Sequence, residues 1–84
     1  MGEIITKGRI TALLGRRQME TGERWSLRRL ADVAQVPKDF VYRLDAGEAR
    51  YVELDALVRL CVTLQCDLAD ILVWEHQDNG NQSL

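Results

Sequence analysis

The stretch from Leu27 to Leu44 constrains the fold of this 84-residue chain more than any other. Leu27, Leu30, Ala31 and Ala34 fall at i, i+3, i+4 and i+7, one apolar stripe of a 3.6-residue period. Ser26 stands just before the stripe, where its hydroxyl can accept from a first-turn N–H. Trp25 and Leu30 bracket it like a hydrophobic staple. Pro37 has no backbone donor and disfavours helical geometry at Val36, so the helix must stop before Val36 and a second can begin at Pro37 or Lys38.

On that second helix Phe40, Val41 and Leu44 share one side. Lys38, Asp39, Tyr42 and Arg43 share the other, with Lys38/Tyr42 and Asp39/Arg43 each at i, i+4. The first set is a packing face and the second is left polar. Ala31 is small enough for a close helix crossing, and Val41 is placed to meet it.

At these residues the chain resembles the lambda-repressor-like, Cro-type (XRE) helix-turn-helix family. Ala31, Val36 and Val41 match its pattern of a small residue followed at five-residue steps by branched apolar ones. Val41 to Gly47 is similar to the family's recognition helix and its glycine exit. Leu54 to Leu72 resembles its fourth and fifth helices, so the likeness spans roughly residues 6 to 74. Three positions depart from the pattern. Gln35 replaces a usual glycine, and a left-handed backbone there would carry a steric cost. Leu27 replaces a usual polar residue, and Asp39 stands where a neutral or basic base-reader is common.

The resemblance implies an all-α, compact five-helix domain with a central helix-turn-helix over residues 1–75, and a flexible tail over 76–84. The first helix is expected from Thr6 or Lys7 to Met19, with Ile10, Leu13 and Leu14 inward, Met19 a further candidate, and Arg9, Arg16 and Arg17 outward. The fourth should begin near Glu53 or Leu54 and present Leu54, Leu57, Leu60, Cys61 and Leu64. Asp67 can cap the fifth, whose apolar set is Leu68, Ile71, Leu72 and Trp74. No strand is demanded, although Gly2 to Ile5 could extend along a neighbour.

Composition fits one small soluble domain, with 46% apolar and 29% charged residues. No run approaches the length of a membrane span and no secretory signal opens the chain, so the cytoplasm is the expected compartment. The net charge of −2 is unevenly spread. Residues 1–50 hold ten Lys or Arg against seven Asp or Glu, whereas residues 51–84 hold one against six. The basic excess lies on the half carrying the helix pair.

Cys61 and Cys66 are five apart, and His76 is the lone histidine, too few ligands for a tetrahedral metal site. The cysteines are expected to act as small buried hydrophobes, with redox sensing through the two thiols as the alternative. No phosphate loop and no nucleophile–base pair is present, so no enzyme, cofactor or small-molecule ligand is expected.

By resemblance, position by position, Lys38, Asp39, Tyr42 and Arg43 would reach double-stranded DNA. Lys38 and Arg43 could donate to guanine, Asp39 could accept from a cytosine amino group, and Tyr42 could meet a phosphate or a thymine methyl. Arg28, Arg29 and Arg50 would anchor the backbone. One such domain covers a half-site, so a homodimer is expected, with Leu68, Ile71, Leu72 and Trp74 as its surface. The chain then reads as a small sequence-specific transcriptional regulator, a repressor, inserting Pro37 to Ala46 into the major groove. The alternative is an antitoxin-like or adaptor module that uses the same scaffold to bind protein.

Overall fold

A computed structural model describes residues 2–76. Strand β1 (Gly2–Ile5) leads into α1 (Arg9–Thr21), α2 (Leu27–Ala34), α3 (Lys38–Ala46), α4 (Leu54–Leu64), the short α5 (Leu68–Ile71) and strand β2 (Val73–His76). Five helices form in the expected order, with α1 starting later and α5 ending earlier than the apolar spacing assigns. They enclose a core whose fully buried members include Ile10, Leu30, Val41, Leu44, Leu57, Leu60 and Ile71.

The helix pair forms as its local chemistry requires. The Ser26 hydroxyl accepts from the Arg29 N–H at 3.1 Å, a side-chain cap on α2. Helix α2 ends at Gln35 in the left-handed region, φ 59° and ψ 48°, where the sequence departs from glycine. The Val36 N–H reaches back to the Ala31 carbonyl at 3.0 Å and the Gln35 N–H to Asp32 at 3.3 Å, the paired bonds of a Schellman ending. Ala31 and Val41 are both buried, as a close α2–α3 crossing needs.

Helix α3 ends the same way at Gly47, φ 79°, with Glu48 N–H on the Arg43 carbonyl at 2.9 Å. A Cβ at Gly47 would lie 3.0 Å from that of Lys7, so both backbone and space favour glycine here. The start of α1 is also tied to α3. Helix α1 begins at Arg9, later than expected, and its own N-cap, Gly8, supplies no side chain. Asp45 of α3 supplies one instead: its carboxylate accepts from the Thr11 N–H at 2.9 Å and from the Thr11 hydroxyl at 2.6 Å.

The largest departure from the expected all-helical layout is a small antiparallel sheet. Gly2–Ile5 pairs with Val73–His76, with Ile4 opposite Trp74 and Ile5 opposite Val73. Helix α5 is therefore only four residues long, and Trp74 belongs to a strand. The bulky run Leu72 to Trp74 suits a pleated surface once β1 offers an edge. The Trp74 ring lies across Gly2, where a Cβ would come within 2.5 Å of it. His76, expected to open the tail, closes β2; the rest of the expected tail lies outside the described residues.

Several side chains also differ from expectation. Met19 is exposed, because α1 runs past the edge of the core. Leu54 is exposed at the first turn of α4, and Ala56 is buried in its stead. Arg9 is half-buried and its Nε donates to the Asp70 carbonyl at 2.8 Å. Arg17 is folded over Trp25, its guanidinium carbon 4.2 Å from the ring centroid.

Candidate nucleic-acid interface

Three segments of the basic half supply the candidate residues. On α3, Lys38, Asp39, Tyr42 and Arg43 are all exposed, while Val41 and Leu44 are buried and Phe40 is half-buried against the core. The two faces proposed from spacing are thus separated, and Phe40 belongs to the packing side. The C-cap at Gly47 and the buried Leu44 hold the helix so that its opposite side is open.

The N-terminus of α2 forms the second segment. The Ser26 hydroxyl satisfies Arg29, and the preceding N–H groups of Leu27 and Arg28 have no carbonyl one turn back within the helix. Arg28 and Arg29 stand exposed at this positive end, which suits an anionic oxygen. The Arg29 guanidinium carbon lies 5.6 Å from the Trp25 ring centroid, which limits where its charge can point. Leu27, which replaces a polar residue of the family pattern, is half-buried and packs on the core.

The loop after α3 is the third segment. Arg50 is exposed and shares a shallow depression of about 430 Å³ with Arg43, Phe40, Glu48 and Tyr51. The sequence reading missed Tyr51. It is 94% exposed, an aromatic side chain with a hydroxyl beside two arginines. The signal was its adjacency to Arg50 in the exit loop.

The electrostatics of this surface are simple. Among the described residues the one ion pair within 4.0 Å joins Arg17 and Glu23, at 3.9 Å. Asp39 and Arg43 are one turn apart on α3 and do not neutralise each other at that range. Arg59 of α4 donates from Nη1 to the Gln35 carbonyl at 3.1 Å, bracing the turn between α2 and α3. Among the described residues no cluster of three His, Cys, Asp or Glu could hold a metal ion. No described helix is long and apolar enough to cross a membrane.

The four residues expected at a dimer surface are not equivalent. Ile71 is fully buried in the core and offers no surface, and Leu72 is half-buried. Leu68 and Trp74 are exposed, and Ile4, the cross-strand neighbour of Trp74, is 58% exposed.

Comparison with known families gives one result that covers most of the chain. Residues 9–77 match the model of the Cro/C1-type HTH DNA-binding domain. The chain belongs to that family. No curated protein and no solved structure matches it.

Proposed function

We propose that this member of the Cro/C1-type family is a sequence-specific transcriptional regulator, a repressor, that inserts the N-terminal part of α3 into the major groove. DNA binding in general follows from the family. The observation that carries the finer reading is the division of α3 into a core face and an exposed face of Lys38, Asp39, Tyr42 and Arg43. In helix-turn-helix docking the second helix reads base edges while the first crosses the backbone. Arg43 and Lys38 donate to guanine, and Asp39 selects a cytosine amino group while disfavouring nearby phosphate. Arg28 and Arg29 at the α2 N-terminus and Arg50 in the exit loop bind phosphate. Tyr51 joins Arg50 there, its hydroxyl donating to a phosphate oxygen.

Two chains act together on a two-fold site, with Trp74, Leu68 and Ile4 as the exposed apolar anchors of the interface. Selection from a random duplex pool, followed by anisotropy titration of the enriched sequence, tests the reading. Enrichment of one motif, lost with Arg43→Ala, supports it. No enrichment, with Arg43→Ala leaving residual binding unchanged, would favour the protein-interaction module instead.

A further inference from the structure

Helix α4 ends in the same backbone arrangement as α2 and α3. Gln65 is left-handed at φ 55°, the Cys66 N–H reaches the Cys61 carbonyl at 3.0 Å, and the Gln65 N–H reaches Val62 at 3.3 Å. In such an ending the residues joined by the longer bond also face one another through their side chains. In α2 that pair is Ala31 and Val36, both buried. In α3 it is Arg43 and Glu48. In α4 it is two free cysteines, whose thiols are near enough to influence each other's ionisation.

The backbone bond, with ordinary covalent lengths, holds the two Cα atoms within about 7 Å of each other. The ending turns the two side chains toward one another, as it does Ala31 and Val36 in α2, so the Cβ vectors converge. Proximity and convergence are the two conditions that a disulfide imposes. Cys61 is buried and Cys66 half-buried, yet both line an open depression with Val58, Val62 and Leu68, the side from which a small reagent would approach the pair.

We propose that Cys61 and Cys66 form a dithiol site that closes to an intramolecular disulfide on meeting hydrogen peroxide. A thiolate of the pair attacks the peroxide O–O bond, becoming a sulfenic acid and releasing water once the leaving oxygen is protonated. The second thiol attacks that sulfur, its proton leaves with the hydroxyl as a second water, and the S–S bond forms. Two electrons pass from the thiols to the peroxide. Closure links the end of α4 to the residue before the α5 N-cap, without using any residue of the DNA-facing surface.

The rate depends on pH. Burial pushes both thiols up, Cys66 to about 12, and for each the neighbouring sulfur modifies the effect. Asp67 and Asp70 raise Cys61, and Asp70 also raises Cys66, while Arg16 on α1 lowers Cys66. Because the thiolate is the attacking species, closure is slow at neutral pH and quickens about tenfold per pH unit on the alkaline side.

The test treats the whole chain with hydrogen peroxide at pH 7, 8 and 9, alkylates remaining thiols, and measures intact mass. The expected product is a monomer that has lost two hydrogens, takes up no alkyl group, and regains two alkylatable thiols with dithiothreitol. Cys61→Ser and Cys66→Ser, each with one thiol, should gain oxygen or link between chains instead. Wild-type protein that only gains oxygen, links between chains, or keeps both thiols alkylatable at pH 9 overturns the proposal. The wild-type measurement decides this alone if either variant fails to fold.

Discussion

Gln35 holds a left-handed backbone that costs an L-residue roughly 1–2 kcal/mol, against about 0.5–1 kcal/mol of extra unfolded-chain entropy for glycine. Gln35→Gly is therefore expected to raise stability by about 0.5–1 kcal/mol. The urea midpoint should rise with an unchanged slope; a lower midpoint would mean that the Gln35 side chain makes a contact outweighing the strain. Arg43→Ala should weaken binding to the selected sequence by about 1–3 kcal/mol and relax preference at one base pair. Arg28→Ala should instead weaken all duplexes alike and reduce the slope of log affinity against log salt by about one. Cys66 adds a pH effect: its thiol ionises near 9.0 when unfolded and near 12 when folded. Its contribution to stability is intact below pH 9 and is lost as pH rises toward 12. Cys66→Ser should lose less stability than wild type across that interval in denaturant titrations. The Ser26 cap and the Gln35 turn were legible because their chemistry is local. Tyr51 and Leu54 were not, since their exposure depends on how the exit loop and the start of α4 sit on the rest of the molecule.

Among the elements, α1 depends on α3 for its cap. Asp45 lies 34 residues from Thr11 and occupies the place of an N-cap side chain that Gly8 cannot fill. Asp45→Ala should cost about 1–2 kcal/mol, as loss of a cap does, with the orphaned Thr11 groups left to water. For a domain of this size that corresponds to a fall in Tm of roughly 4–16 °C. Asp45→Asn, which keeps an acceptor, should recover part of it; two variants melting with wild type would show that water replaces the carboxylate at no cost. Such a link is invisible to periodicity, which registers neighbours along one helix only. The sheet escaped for a related reason: Leu68 to Trp74 contains enough apolar residues for a helix, and only the distant strand Gly2–Ile5 turns its last part into β2. The helix pair was legible because caps, proline and apolar spacing all agree within eighteen residues.

Over the whole molecule, charge and apolar surface are distributed unequally. The basic excess lies in residues 1–50, while exposed Trp74 and Ile4 pair across the two-stranded sheet of β1 and β2. In the proposed reading one α3 face contacts only a few base pairs, and a second copy related by a two-fold axis would supply the rest of the specificity. The buried Ile71 removes α5 as the centre of that contact and leaves the sheet face with Leu68 beside it. If two chains meet through this face, the selected DNA should be an inverted repeat whose half-sites are about 10–10.5 base pairs apart, or a multiple of that spacing. Sedimentation should show two chains per duplex. Trp74→Ala should then weaken binding to the full repeat at least tenfold while leaving affinity for an isolated half-site unchanged, because the groove-facing residues are untouched. Equal losses on the repeat and the half-site would place Trp74 in the fold of the monomer rather than between copies. A selected motif without two-fold symmetry, bound by one chain, would remove the dimer from the reading and leave the recognition face of α3 to act alone.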